Sequence, residues 1–187
     1  MALLPITLYG DKILRKKVEK VSEVNIKIIE LIKNMFDTMS NASGIGLAAN
    51  QVGADKSIFI VDISAVEGYE SYKPMTFINP KIIFYSDEKT VIEEGCLSIP
   101  EIRADVERSK FIKIIFQDTD LIEHTIEADE LLARVIQHEF DHLQGVLFTD
   151  KIDEKIKKKF HNDLNKIKKR AVEIDYPITE SIDYQLK

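Results

Sequence analysis

The sequence predicts a single domain of the α+β class, with antiparallel or mixed sheets around a central helix. Runs rich in β-branched and aromatic residues occupy the middle of the chain and are joined by short turns, which favours antiparallel pairing. Segments with helical periodicity stand before these runs and after them. At 187 residues and 44% hydrophobic composition, the chain can build one substantial core and is short for two.

Composition and charge argue against several kinds of partner. The formal net charge of −6 disfavours DNA as a partner, because phosphate binding depends on clustered Lys and Arg. No apolar run approaches the roughly 20 residues needed to span a bilayer, and the first ten residues do not resemble a signal peptide. Cys96 is the single cysteine, so no intramolecular disulfide can form. We therefore expect a cytoplasmic protein that binds neither DNA nor a membrane.

The first predicted element is an amphipathic helix over residues 24–39. Apolar residues recur there at helical spacing, with charged residues between them. We expect the helix to stop at residues 40–44, whose small and polar side chains are typical of helix ends. The apolar stripe consists of Ile28, Leu31, Ile32, Met35, Phe36 and Met39.

A stretch of small residues follows this helix at positions 44–53, and small residues let another group approach the backbone closely. Its G-x-G pattern follows a helix and lacks the third glycine and downstream acid of a dinucleotide-binding turn. A P-loop is also excluded, because no Gly-Lys-Ser/Thr follows. Taken alone, the stretch is best interpreted as a tight loop packed under the sheet.

Four later runs are predicted to form strands, at residues 57–63, 76–85, 110–117 and 122–128. Each is rich in β-branched or aromatic residues and is bounded by turn formers. The turn between the last two runs is supplied by Asp118, Thr119 and Asp120.

The strongest functional signal is the H-E-x-x-H pattern within residues 137–145. His138 and His142 lie one helical turn apart, so both rings can reach one metal ion. Glu139 is offset around the helix and can reach water at that ion without being a ligand. The alternative is an ordinary helix whose histidines are satisfied by hydrogen bonds, because a five-residue motif has a real false-positive rate.

A third ligand would distinguish among classes of metalloenzyme. The long metzincin pattern requires a ligand at the position that Phe148 occupies, and this side chain cannot bind a metal. The thermolysin arrangement requires a downstream glutamate, yet none occurs between Glu154 and Glu173. Neither class of peptidase fits the sequence completely.

Cys96 is the best remaining candidate for the third ligand. It follows the flexible Gly95 and precedes Pro100, so its sulfur could be held at a defined place. A lone cysteine is more often a small buried apolar residue. His124 and His161 are the other donors that the sequence offers.

Three stretches together resemble the peptide deformylase family, whose members remove the N-formyl group from nascent polypeptides. The matching segments are residues 44–51 (GIGLAANQ), 94–98 (EGCLS) and 137–142 (QHEFDH). They occur in order and at sensible separations, which makes the combination far more specific than any one motif. The resemblance extends from the first helix through Phe148 and covers neither the loop after Ile63 nor the tail.

The resemblance implies a hydrolase with one divalent metal ion, Fe²⁺ in the cell, with Zn²⁺, Ni²⁺ or Co²⁺ able to replace it. It assigns Glu139 to proton transfer, and the Gln51 side chain and Leu97 backbone N–H to the oxyanion that forms during hydrolysis. The implied metal ligands are Cys96, His138 and His142.

The implied substrate is a nascent peptide that begins with N-formylmethionine. Leu131 and Val135 share a helix face with the two histidines and are expected to wall the methionine pocket, although an ordinary core position explains them equally well. The residues that the resemblance assigns to peptide binding, mainly through strand-like backbone pairing, are Ile45, Gly46, Gly95 and Arg103.

A last amphipathic helix is expected from Lys151 to about Ala171, within a core of about residues 5–170, and residues 172–187 are expected to form an irregular tail. Residues 151–170 contain nine basic and three acidic residues. Such a run is usually only a solvated helix face. The functional alternative is weak docking to the ribosome, where the substrate emerges.

Other functions remain open at this point. An H-E-x-x-H metallopeptidase would cleave internal peptide bonds, and the missing third histidine and downstream glutamate argue against it. An inert deformylase-like protein would only bind peptides, and the presence of both Gln51 and Glu139 argues against that. An enzyme that acts on another formamide is also compatible with the sequence.

Overall fold

The computed structural model describes residues 2–186, which form two antiparallel sheets and four α-helices. The strands are β1 (Gly46–Ala48), β2 (Ile58–Val61), β3 (Met75–Tyr85), β4 (Lys89–Cys96), β5 (Ile99–Ser109), β6 (Phe111–Gln117) and β7 (Glu123–Asp129). The helices are α1 (Ile26–Asn41), α2 (Glu130–Leu143), α3 (Glu154–Lys159) and α4 (His161–Lys168). This architecture confirms the predicted α+β class. Within the described residues, no helix is long and apolar enough to cross a membrane.

The larger sheet has the strand order β1-β2-β3-β6-β7, and every neighbouring pair is antiparallel. Between β3 and β6 the chain forms a separate two-stranded sheet, β4-β5, and then returns to pair with β3. Helix α2 follows β7 directly and carries the H-E-x-x-H pattern. The motif helix packs against strands of both sheets, which agrees with the predicted central helix.

The main core lies between α2 and the larger sheet. Phe59 stacks on Phe77 with ring centroids 4.5 Å apart, and Phe77 contacts Phe116 at 4.4 Å. From α2, Ala133 and Ile136 are fully buried in the same cluster. Such packing fixes the helix against three neighbouring strands, because a close-packed core resists small shifts.

Helix α1 begins two residues later than predicted and ends two residues later. The Asn25 side chain accepts a hydrogen bond from the Ile28 N–H and so caps the first turn. Most of the predicted apolar stripe is buried against β1 and β2, with Phe36 only half-buried. The amphipathic pattern identified this helix correctly, while its ends depended on the cap.

The stretch at residues 44–53 is not the loop that we expected. Gly46–Ala48 forms the edge strand β1, and Ala49–Val52 forms a 3-10 turn. Leu47 and Ala48 are both fully buried, because one side faces α1 and the other faces α2. Three residues are too few for an alternating pattern to be visible in the sequence.

The β4-β5 sheet was also missed. The sequence does contain the alternation that is typical of a strand: Ile102, Ala104 and Val106 alternate with charged residues, and all three are buried. Arg108 continues this alternation as a buried charge, which is unusual for a strand interior. Because charged residues separate the apolar ones, this strand of 11 residues was not predicted.

The expected C-terminal helix is two helices, α3 and α4, which are separated at Phe160. Leu164 and Ile167 are buried in the same apolar cluster as Ile102 and Phe148, whereas α3 buries no residue. The amphipathic character of the segment is therefore confirmed for α4, and the prediction of one continuous helix was wrong.

The tail after Ala171 is irregular, and it packs closely on the rest of the molecule. Ile178 forms a parallel bridge with Ile6, and the Leu186 N–H donates to the Gly53 carbonyl at 2.9 Å. The Tyr184 ring lies against Gly53. These contacts support the proposal that the chain folds as one domain, with the tail included.

Candidate active site

Three potential metal ligands converge between the β4-β5 sheet and α2. Cys96 ends β4, and His138 and His142 lie on one face of α2. The ligand atoms all lie within 4.8 Å of one another, and the Cys96 Sγ is 3.2 Å from the His142 Nε2. No other group of this kind occurs within residues 2–186.

The arrangement fits a divalent cation. The two Nε2 atoms of His138 and His142 approach each other to 3.3 Å. Two histidine nitrogens that bind one metal ion with tetrahedral geometry, each ~2.1 Å from the ion, lie about 3.4 Å from each other, which is close to the observed separation. Burial lowers the pKa of His142 well below its usual value, so its ring is neutral and able to coordinate. Burial acts in the same direction on His138, but its hydrogen bonds with Cys96 and Glu94 outweigh it and raise the pKa of His138, so a cation that binds here displaces a proton from His138.

Glu94 orients the first of these histidines. Its Oε2 lies 2.9 Å from the His138 Nδ1, which leaves Nε2 facing the cluster. Arg108 donates to both Glu94 oxygens, at 2.5 and 2.9 Å, and Arg134 donates to Oε1 at 2.9 Å. Burial alone would raise the pKa of Glu94, but the hydrogen bonds from His138 and Arg108 outweigh it and hold this pKa well below its usual range. Glu94 is therefore a buried carboxylate that is fully charged and fully paired.

Glu139 has the opposite environment. It is 4% exposed, and its Oε2 has no hydrogen-bond partner among the described residues. Burial raises the pKa of Glu139 to about 7. A Cβ added to Gly46 would lie 2.5 Å from the Glu139 Oε1, so a glycine is what allows this carboxyl to lie against β1. The surroundings of the two glutamates therefore lower the pKa of Glu94 and raise the pKa of Glu139.

The Gln51 side chain is held with its amide group toward the cluster. Its Oε1 accepts a hydrogen bond from the Ala48 N–H at 2.8 Å, which fixes the direction of the amide. Its Nε2 lies 3.5 Å from the Cys96 Sγ and 3.2 Å from the Ser98 Oγ. The 3-10 turn at Ala49–Val52 therefore presents an N–H donor beside the potential metal site.

These groups open onto a cavity of about 510 Å³. Eleven of the twelve predicted site residues line it, and His142 lies behind it, 1% exposed. Arg103 stands at the rim with a side chain that is 68% exposed, 3.9 Å from Glu93. The eleven lining residues are Ile45, Gly46, Gln51, Gly95, Cys96, Leu97, Arg103, Leu131, Val135, His138 and Glu139.

Two donors that the sequence left open as third ligands lie elsewhere. His124 is on β7 and contacts Asp118 at 2.6 Å, and His161 begins α4, where it contacts Asn165. Both are exposed. Among the described residues, Cys96 is thus the only one of the three candidates near His138 and His142.

Three kinds of supporting residue were not predicted from the sequence. Arg108 and Arg134 were not recognised as partners of Glu94, because a buried arginine has no local sequence signature. Asn50 is fully buried and donates to the His142 carbonyl at 2.6 Å. Tyr176, from the tail, lines the cavity.

Comparisons with known proteins agree with this geometry. The family model described as polypeptide deformylase matches residues 3–158. A peptide deformylase from Chlorobium phaeovibrioides is 42% identical over 179 residues, which cover 96% of this chain and 94% of the relative. One from Prosthecochloris aestuarii is 44% identical over 178 residues, which cover 95% of each protein.

Solved structures of the same family also superpose on the chain. A plant peptide deformylase matches with a TM-score of 0.85 and 35% identity, over 91% of this chain and 92% of that one. The enzyme from Thermotoga maritima matches with a TM-score of 0.76 and 40% identity, over 82% of this chain and 99% of that one. The resemblance predicted from the three motifs is confirmed, and this chain belongs to the polypeptide deformylase family.

Proposed function

We propose that this chain is a metal-dependent hydrolase that removes the N-formyl group from the N-terminal methionine of newly synthesised polypeptides and releases formate. The main support for this proposal is the composition of the cavity. A cluster of potential metal ligands, a buried carboxyl group and a fixed amide donor converge on one cavity. Family membership identifies the reaction that such a site performs.

The family depends on a metal, and we propose that Cys96, His138 and His142 hold it here. When bound, a divalent cation supplies Lewis acidity and lowers the pKa of water in the site toward ~7. We propose Fe²⁺ as the cellular metal, with Zn²⁺, Ni²⁺ or Co²⁺ as replacements, because one thiolate and two imidazoles suit all of these ions. The thiolate also points to the reducing cytoplasm as the compartment.

Glu139 is the proposed proton carrier. Its unpartnered Oε2 is buried beside the cluster and is free to accept a proton from the attacking water. The same oxygen can then pass that proton to the nitrogen of the departing amine. Burial raises the pKa of Glu139 above its usual value, and a raised pKa suits a carboxyl group that must both accept and donate a proton.

The proposed oxyanion donors are the Gln51 Nε2 and the Leu97 backbone N–H. Hydrolysis places negative charge on the formyl oxygen, and a donor fixed in advance stabilises that charge without reorganisation. Gln51 is fixed by its hydrogen bonds to Ala48 and Ser98. Leu97 lies in the turn between β4 and β5, directly after Cys96. Each such donor is worth about 2.7–4 kcal/mol in a dry site.

The peptide is proposed to bind as an added strand. β1 is the edge of the larger sheet and pairs with β2 on one side only. Its open side faces the cavity, where Gly46 offers backbone groups and Ile45 offers its N–H, because the Ile45 carbonyl already accepts from the Asp62 N–H at 3.0 Å. Gly95 offers backbone groups from the opposite wall, and Arg103 stands at the rim. Main-chain pairing suits an enzyme that must accept many sequences after a common first residue.

The methionine side chain is proposed to enter the pocket walled by Leu131 and Val135. Both line the cavity, one helical turn apart on α2. Val135 is 6% exposed, and Leu131 is half-buried at the opening. A short apolar wall beside the cluster favours an unbranched apolar first residue.

The decisive test is formate release from a formyl-methionyl peptide by protein purified without oxygen. The variants are Glu139→Ala and Cys96→Ala, with Glu127→Ala as a matched control on an exposed strand residue. We expect Glu139→Ala to keep its metal and lose activity by on the order of 10²–10⁴-fold. Metal-loaded wild-type protein that releases no formate would reject the function. Cleavage of internal peptide bonds would instead indicate a metallopeptidase.

We also propose that the basic surface of residues 151–170 docks on the ribosome. Lys157 and Lys166 are engaged by Asp150 and Asp163. Lys155, Lys158 and Lys159 are exposed and make no salt bridge within the described residues, so their charge is available to phosphate groups.

A further inference from the structure

The tail after Ala171 lies outside the segment that the family model matches, which ends at residue 158. It nevertheless reaches the active site, because Tyr176 lines the same cavity as Cys96 and Glu139. The tail therefore brings to the site a polar side chain that the three motifs do not supply.

The contact is made with the turn that carries Leu97. Leu97 and Ser98 form the two-residue connection between β4 and β5, and Cys96 pairs with Ile99 across it. The Tyr176 hydroxyl donates to the Leu97 carbonyl at 2.7 Å. The next carbonyl, that of Ser98, accepts a hydrogen bond from the Tyr9 backbone N–H at 2.8 Å. Both carbonyls of the turn are thus held from outside the hairpin.

The tail is anchored on both sides of Tyr176. Arg170 pairs with the buried carboxylate of Asp11, and the Thr179 hydroxyl donates to the same carboxylate at 2.7 Å. Ile6 accepts from the Thr179 N–H at 3.0 Å. Its own N–H donates to the Pro177 carbonyl at 2.8 Å. The backbone that carries Tyr176 is therefore already fixed. As a result, little side-chain entropy is lost when the phenol donates its hydrogen bond to the Leu97 carbonyl.

We propose that Tyr176 is a positioning residue that holds the Leu97 N–H in the direction needed to donate to the oxyanion. This proposal rests on the proposed function. The Leu97 carbonyl belongs to the peptide plane that follows its Cα, and the N–H belongs to the plane before it. The hydrogen bond from Tyr176 holds the peptide plane that contains the Leu97 carbonyl. The plane that contains the Leu97 N–H can then turn only through the φ and ψ angles of Leu97, and steric clashes limit both angles. A preorganised donor stabilises the transition state more than the bound substrate, so its loss lowers kcat more than it raises KM.

The test compares Tyr176→Phe with Tyr184→Phe. Tyr184 lies in the same tail, and its hydroxyl makes no hydrogen bond within residues 2–186, so this control removes an oxygen without removing a contact. Tyr176→Phe keeps the ring that lines the cavity. We expect kcat for formate release to fall about threefold to tenfold, with KM within about twofold of wild type. Tyr184→Phe should match wild type in both constants.

A second measurement does not depend on activity. In ¹H–¹⁵N spectra of protein loaded with diamagnetic Zn²⁺, the Leu97 amide signal should shift and broaden in Tyr176→Phe, and should be unchanged in Tyr184→Phe. Metal content and thermal midpoint, measured on the same samples, correct kcat for the folded and loaded fraction. Wild-type kcat in Tyr176→Phe after this correction, or an unmoved Leu97 signal, would overturn the proposal. If wild-type protein releases no formate, the proposed function fails, and the Leu97 signal alone decides whether Tyr176 positions this N–H.

Discussion

The Glu94 carboxylate meets the His138 Nδ1 at 2.9 Å, and this contact links the β4-β5 sheet to the face of α2 that carries His138 and His142. Arg108 extends the link, because it contacts Glu94 and also pairs with Asp141 of α2 at 2.6 Å. The side chains of Glu94 and Arg108 are only 5% and 3% exposed. A buried charge network of this kind is costly to break and holds its members in one geometry.

Glu94→Gln should weaken metal binding while the fold survives. The substitution keeps the shape of the side chain but removes the charge that orients His138 and that balances two arginines. Loss of such an outer partner typically costs about 10–100-fold in metal affinity. Competition with a chelator measures the affinity, and Glu93→Gln is the control, because Glu93 is the neighbouring residue and its side chain is 60% exposed. Equal metal affinity in both variants would contradict the orienting role.

Gln51→Ala should lower kcat by about a hundredfold to a thousandfold, with a smaller change in KM. The substitution removes the Nε2 beside the Cys96 sulfur, together with the Oε1 that accepts from the Ala48 N–H at the start of the 3-10 turn, so kcat is corrected for the folded fraction. Steady-state formate release gives both constants, with exposed Gln185→Ala as the control. If kcat were unchanged, Gln51 would be a structural residue that only joins the turn to Ser98.

Glu139 should titrate near neutrality in metal-free protein. Burial favours its neutral form and raises its pKa to about 7, so the carboxylate forms only as pH rises through that value. A cation bound by the adjacent histidines favours the charged form, and adding Zn²⁺ should therefore move the titration to lower pH. Carboxyl ¹³C shifts measure this, with Glu139→Gln identifying the signal. A titration near the ordinary value for glutamate without metal would show that water reaches the carboxyl.

The part of the site that the sequence predicted is the part with fixed local spacing. His138, Glu139 and His142 are related by the helical repeat alone, so their arrangement follows once α2 is recognised. Cys96 could not be placed by spacing, because its position depends on how the β4 strand pairs with β5 and how that sheet meets α2. Its assignment needed the motif around it.

The elements that could not be predicted from the sequence have a common physical origin. Strand β1 is buried on both sides, so it shows no alternation, and β5 alternates apolar residues with charges that are used inside the protein. Arg108 is the clearest case, since its burial is explained only by Glu94 and Asp141, which are distant in sequence. Tyr176 is similar: its partner, Leu97, is 79 residues away. Contacts of this kind are set by the tertiary fold rather than by local pattern.

Reversing the charge of Lys155, Lys158 and Lys159 to glutamate should reduce co-sedimentation with ribosomes. These lysines are exposed, and α3 buries no residue, so the fold should tolerate the change. Binding that depends on phosphate contacts weakens with added salt, and the reversed variant should show a smaller salt dependence.

The matched control for this experiment carries Lys20→Glu, Lys27→Glu and Lys33→Glu, which make the same change in net charge at exposed positions in and before α1. Formate release from a short peptide should be equal in both triple variants, because neither set of lysines lines the active-site cavity. If both variants lose co-sedimentation equally, the attraction reflects net charge alone. If neither does, the basic surface of residues 151–170 is a solvated helix face, as runs of this composition usually are.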